Sequence, residues 1–273
     1  MIGGGNLSLD NIKEKITESK QFKMTVKGTK YYNNMNDISD RKLYIWTEKN
    51  GLIEDPYKAN NKIASAYYKM LVDQKVNYLI GKSPTCAVED EDFFEQLNDV
   101  AKMASQNGIQ WVYTYIEDGQ FKLEIMNNEE LLPIYENDLL IKMYRYYTKQ
   151  IMKYGQSQMV DIVEEYNEEG VLVYVNNQVV EERGHIKVVE TAGAEETVTY
   201  TSWGRIPFFA MKNNADCVFD LQPVKSLIDN YDVVISDFAN NLEDFQDTTW
   251  ILKGYNGDLG KFTEQVKMYK AIP

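Results

Sequence analysis

The stretch that decides the reading is 223-PVKSLIDNYDVVISDFANNLEDFQD-247, which runs without a glycine or an internal breaker. At 100° of rotation per residue, Val224, Leu227, Ile228, Tyr231, Val234, Ile235, Phe238, Leu242 and Phe245 fall in a sector roughly 120° wide. This predicts one long helix whose apolar stripe is buried. Asp229, Asp232, Ser236, Asn240, Glu243 and Asp247 recur on the opposite side at spacings of three or four, flanked by Asp237 and Asp244. No Lys or Arg occurs from Ser226 to Trp250, although surface helices ordinarily mix signs. The simplest account of such a charge run is a solvated face, but its single sign calls for a cause.

The 273 residues carry 29 basic and 42 acidic side chains, a net charge of −13. Such a chain does not coat DNA or an anionic membrane by long-range attraction. A chain of this length has room for two subdomains or one elongated domain. Cys86 and Cys217 lie far apart and form no metal-ligand spacing, which fits reduced thiols in a cytosolic setting. No apolar run reaches the length of a membrane span, and the start 1-MIGGGNLSLD-10 lacks the basic and apolar regions of a secretory signal.

Upstream of the acidic helix, residues 6–24 are expected to form an amphipathic helix through Ile12 and Ile16, and 31-YYNNMNDISDRKLYIW-46 a short helix and loop. In 60-NNKIASAYYKMLVDQKVNYLIG-81 a helix is expected from an Asn60 or Asn61 cap. Its stripe would be Ile63, Tyr67, Met70, Leu71, Gln74 and Tyr78, with Gly81 as a left-handed C-cap. Residues 92–106 carry another helical period through Phe93, Leu97, Val100, Ala101 and Ala104, ending near Gly108. The period then changes to two: 111-WVYTYIEDGQFKLEIM-126 alternates around Asp118-Gly119, a tight hairpin turn. Strands over 139–148, 159–167, 171–176 and 178–182 continue an antiparallel meander, followed by a small-residue loop and a further strand up to Trp203. Pro207 restricts another strand, and Pro223 suits the first positions of the acidic helix. Residues 248–258 read as a strand and turn, and 259–273 as a short helix.

Little in the sequence suggests catalysis. His185 is the only histidine; it lies in 181-EERGHIKVV-189, expected to be a solvated loop, with no nucleophile-elbow motif. Gly81-Lys82-Ser83 resembles the end of a phosphate-binding loop, but Val76 stands where that motif needs glycine and the triplet follows a helix instead of a strand. Catalytic, cofactor and metal-ligand assignments are therefore all none. The alternative from another class is a carboxylate-dependent metal hydrolase with a β-rich substrate domain. A convergent acidic cluster would favour it; acids in a line along one helix would not.

Three blocks, 60-NNKIASAYYKMLVDQKVNYLIGKSPT-85, 109-IQWVYTYIEDGQFKLEIMNNEELLPIY-135 and 203-WGRIPFFAMKNNADCVFDLQPVKSLIDNYDVVISDFANNLEDFQDTTWILKGY-255, occur in series. Together they resemble the portal proteins of tailed double-stranded DNA phages, in the branch typical of long-tailed phages of Gram-positive hosts. The resemblance implies an α+β fold: a wing of helices and antiparallel β meander over 1–222, a stem helix over 223–247, and the start of a small α/β clip over 248–273. The rest of the clip, a second stem helix and a crown, which such proteins carry, would be absent.

It also implies a head-tail connector: a homo-oligomeric ring, commonly of twelve subunits, at one capsid vertex of the virion. The ring is assembled in the host cytoplasm with capsid and scaffolding proteins. A terminase motor drives DNA inward through its channel, and a head-tail adaptor receives it on ejection. No membrane, cofactor or catalytic residue is implied, and a prophage origin is compatible. On this architecture Asp229, Asp232, Glu243 and Asp247 are expected to face the channel, where like charge discourages phosphates from sticking. Leu227, Ile228, Tyr231, Ile235, Phe238 and Leu242 are expected to pack between subunits.

Overall fold

In the computed structural model the described residues are 9–47, 49–55, 58–81, 91–117, 119–153, 156–192, 195–246, 258 and 260–261. The chain divides into two units, one of Met1–Tyr32 and Lys69–Gln222, the other of Asn33–Tyr68 and Pro223–Pro273. Residues 33–68 thus cluster with the acidic helix and not with the residues on either side of them in sequence.

The first unit is α+β. Its helices are α1 (Leu9–Glu18), α2 (Lys20–Tyr32), α3 (Tyr67–Ile80, of which the first two residues lie in the second unit) and α4 (Glu91–Asn107). The single N-terminal helix expected from the sequence is two. The chain breaks at Ser19, whose hydroxyl accepts from the Phe22 amide at 3.0 Å and so caps α2. Gly28 lets α2 press against α4, since a Cβ there would lie 2.0 Å from the Gln106 carbonyl oxygen.

The strands of the first unit follow β1 (Tyr44–Thr47) and β2 (Gly51–Glu54) of the second in chain order. They are β3 (Ile109–Glu117), β4 (Gln120–Ile125), β5 (Leu131–Glu136), β6 (Leu139–Lys153), β7 (Gln156–Tyr166), β8 (Val171–Val175), β9 (Gln178–Arg183), β10 (Ile186–Ala192), β11 (Glu195–Thr201) and β12 (Phe208–Lys212). The meander is real: β5 to β9 pair consecutively and antiparallel in one five-stranded sheet. Although Asp118 lies outside the described residues, the hairpin is also as expected, with Glu117 opposite Gln120 and Gly119 at φ +75°. It belongs to a second sheet, however, ordered β11-β10-β3-β12 with β4 on β3, in which β10 joins β3 in parallel.

Alternation along the strands builds the layers. Trp111 and Tyr113 of β3 join Met143, Ile162, Tyr166 and Phe208 in a core drawn from both sheets. Their neighbours point the other way: Tyr144 and Val163 pack with Ile12 and Ile16 of α1, and Val112 and Thr114 face α4. The order is therefore α1, meander sheet, second sheet, α4.

Three expectations are corrected. Residues 61–66 form neither helix nor strand, so Asn60 and Asn61 do not cap α3, which starts at Tyr67. Its buried ridge is Tyr68, Val72 and Val76, while Tyr67, Met70, Leu71 and Tyr78 are exposed. Apolar side chains occur all around α3, so their spacing does not single out one face. Gly81 does not have a positive φ; its amide simply continues the helical bonding to the Asn77 carbonyl at 3.0 Å. The expected strand and helix over 248–273 lie outside the described residues, apart from positions 258, 260 and 261.

Candidate functional site

In the second unit the long helix α5 (Leu221–Gln246) is present as the apolar period predicted, at 26 residues about 39 Å long. Its orientation is reversed. The face that this unit buries is the polar one: Asp232 and Ser236 are 0% exposed, and Asn240 and Ile228 nearly so. The expected buried stripe lies open instead, with Leu227 71% and Phe238 61% exposed and Tyr231, Val234 and Leu242 also exposed. Of the six residues expected to pack between subunits, Ile228 is already buried within the chain and Ile235 half-buried.

The cause lies in the segment 61–65, which has no strand partner for its backbone N–H groups and finds acceptors on α5. The Asn61 amide donates to Asn240 Oδ1 at 2.6 Å, Ile63 to Ser236 Oγ at 3.0 Å, and Ser65 to Asp232 Oδ1 at 2.9 Å. Two residues of extended chain advance about 6.6 Å, and four residues of helix about 6.0 Å. Alternate amides of the strap therefore meet every fourth side chain of the helix, the two running antiparallel. Side chains complete the seam. Asn36 Nδ2 donates to Asp232 Oδ2 at 2.6 Å, and Asn61 Nδ2 donates to Glu243 Oε2 at 2.8 Å.

The flanks are ionic. Arg41 meets Asp237 at 2.6 Å, and Lys225 bridges Asp37 at 2.6 Å and Asp229 at 2.5 Å. The acid of the polar face thus has a structural reason. A strap that presents donors needs acceptors beneath it, and Lys or Arg would offer only more donors.

Of the residues expected to face a channel, Asp232 is fully buried and both its oxygens are occupied, so it presents no charge outward. Asp229 is half-buried beside Lys225, and Glu243 is exposed. Asp247 lies outside the described residues.

His185 is not a solvated loop residue: it is 1% exposed. Its Nε2 lies 2.7 Å from the Asn167 carbonyl, which can only accept, so Nε2 carries the proton and Nδ1 accepts from the Tyr113 hydroxyl at 3.0 Å. Burial pushes the imidazole below its ordinary 6.5 against the opposing bond to Asn167. The ring joins β3 of the second sheet to the turn that follows β7 of the meander and is a packing element. A cleft of about 330 Å³ between α4 and the second sheet is lined by apolar side chains, Phe93, Leu97, Phe121 and Phe209 among them. Among the described residues, no three His, Cys, Asp or Glu side chains form a group able to hold a metal ion, and no helix is long and apolar enough to cross a membrane.

Comparison with known proteins agrees with the series of sequence blocks. Residues 12–272 match the family described as phage portal protein, SPP1 Gp6-like. The portal protein of Bacillus phage SPP1 is 29% identical over 284 residues, covering 95% of this chain and 55% of that protein. The portal protein of Clostridium phage phiCD119 is 28% identical over 272 residues, covering 89% of this chain and 57% of that protein. The chain thus spans little more than half the length of these relatives. With the match extending over nearly all of its residues, the chain belongs to the SPP1 Gp6-like family of phage portal proteins.

Proposed function

We propose that the chain is part of a portal subunit, the head-tail connector of a tailed phage. In this reading residues 1–222 contribute mainly to the wing, α5 is the first stem helix and residues 248–273 begin the clip. Subunits form a ring, commonly twelvefold, at one capsid vertex, through which double-stranded DNA is packaged by a terminase motor and ejected through a head-tail adaptor.

The observation that carries this, beyond family membership, is the exposed stripe of α5. Leu227, Val234, Phe238 and Leu242 lie open along the helix, with Tyr231 beside them partly covered by the Tyr67 ring at 4.9 Å, and each is worth about 1.5–3 kcal/mol when fully buried. Patches of this kind mark association surfaces. Any channel-facing charge on α5 then falls to Glu243 and in part to Asp229; Asp232 is excluded by its burial, and Asp247 lies outside the described residues. The subunit acts as a conduit without catalysis of its own, a role that asks nothing of its one histidine.

Sedimentation velocity tests the stripe. The protein is expected to associate as concentration rises, and Leu227→Asp with Phe238→Asp, at positions already exposed, to abolish this while the fold is kept. Identical sedimentation of parent and variant would reject the stripe as an assembly surface.

A further inference from the structure

A second apolar surface of the same unit remains without a role. β1 and β2 pair Tyr44 with Glu54, Ile45 with Ile53 and Trp46 with Leu52, which puts Tyr44, Trp46 and Leu52 on one face. They are 56%, 66% and 67% exposed. An isolated two-stranded hairpin is marginal in water, and one presenting three large apolar side chains gains little by itself. It is held by its root: Lys42 pairs with Glu54 at 3.6 Å, Asn60 Nδ2 donates to the Arg41 carbonyl at 3.4 Å, and Arg41 is fixed to Asp237 of α5.

We propose that the Tyr44–Trp46–Leu52 face of this hairpin docks on the exposed α5 stripe of a second copy of the chain. The inference rests on the ring reading above and names the two surfaces that would meet. Within one chain both stay open, so neither is the other's cover. From the exposures, the hairpin face offers on the order of 400 Å² and the stripe on the order of 500 Å², taking 150–250 Å² for a large side chain. Their sum approaches the roughly 1,000 Å² at which an interface becomes specific, and each subunit would take part in two such contacts.

The contact is apolar and not ionic, since α5 has no base from Ser226 onward and Arg41 and Lys42 at the hairpin root are already paired with Asp237 and Glu54. Because the donating and accepting surfaces differ, the contact is heterologous. It repeats head to tail and closes into a ring if the rotation allows, as a two-fold contact would not.

The test replaces Trp46 with photoreactive benzoylphenylalanine in the whole chain, mixes ¹⁴N- and ¹⁵N-labelled protein, and maps cross-links by mass spectrometry alongside sedimentation. The proposal expects mixed-isotope cross-links to the α5 peptide containing Val234 and Phe238. It also expects Trp46→Ser and Phe238→Ser each to weaken association at least tenfold, and the pair together by less than the product, since both remove one contact. Cross-links to another hairpin, to the cleft at Phe121 and Phe209, or only within one chain would overturn it while association left the ring reading standing. So would fully multiplicative effects. A chain that stays monomeric at every concentration would overturn both.

Discussion

Asp232 gives the sharpest perturbation, because its carboxylate is both the deepest acid of α5 and the anchor of the strap. Asp232→Ala removes the acceptor for two buried donors, Asn36 Nδ2 and the Ser65 amide, now at 2.6 and 2.9 Å. A buried donor left without an acceptor costs about 1–3 kcal/mol, so the expected loss is roughly 2–5 kcal/mol. Ser236→Ala removes one neutral acceptor, that of the Ile63 amide, and is expected to cost about 1 kcal/mol. Asp232→Asn is diagnostic. Its oxygen can serve Ser65, while its new amide confronts Asn36 Nδ2 unless Asn36 turns over; Asn36 Oδ1 is buried without a protein partner and becomes available on turning. That rearrangement sacrifices the Asn36 bond to the Ser65 carbonyl, so an intermediate loss of about 1 kcal/mol is expected. Denaturant unfolding measures the totals, and amide hydrogen exchange at Ser65, Ile63 and Asn61 shows whether the strap opens locally, as a segment held mainly by hydrogen bonds should. If Asp232→Ala stays within about 0.5 kcal/mol of the parent and the Ser65 amide keeps its protection, the account of the polar face is wrong.

His185 makes a pH signature. Its folded pKa is depressed below 6.5, so stability is complete above that value and declines as pH falls below it, when the unfolded chain takes up a proton that the folded one refuses. His185→Gln should flatten the decline between about pH 6.5 and 5, and an unchanged slope in unfolding midpoints would contradict the assignment. On α3, Val76→Ala is expected to cost about 2 kcal/mol in unfolding free energy, against less than about 0.5 for Leu71→Ala; the reverse order would restore the face read from sequence. Glu243→Lys in a twelvefold ring changes the channel charge by about 24 units and adds phosphate attachment points. Packaging assays should show slowed DNA movement, eased by higher salt, and parental rates at low salt would take α5 away from the DNA.

Much of this fold could be read from the residues. The change from helical to alternating period at Gly108, the Asp-Gly turn after Glu117 and the meander of β6 to β9 all announce themselves locally, through side-chain period and turn chemistry. The length of α5 does so too. Its orientation does not, because periodicity says which residues share a face and not what that face meets. Asp232, Ser236 and Asn240 are covered by a segment about 170 residues away in sequence. The only local hint was the absence of bases among them, which fits an acceptor ladder as well as a solvated surface. His185 misleads for a similar reason: a polar residue between two strands looks like a solvated loop until Tyr113 of β3 and the Asn167 carbonyl just after β7 supply its partners. The break at Ser19 was legible in principle, since serine is a preferred N-cap, but nothing apolar changes phase there to reveal it.

The central claim, that this chain is part of a ring-forming portal subunit, is tested most directly by negative-stain electron microscopy. The specimen is the protein extended at its C-terminus by the remainder of the Bacillus phage SPP1 portal protein, to that relative's length. Annular particles of uniform size with a central channel are predicted, and they should disappear when Leu227 and Phe238 are changed to Asp. Folded particles that remain monomeric, or that associate into open chains without a central hole, would contradict the account.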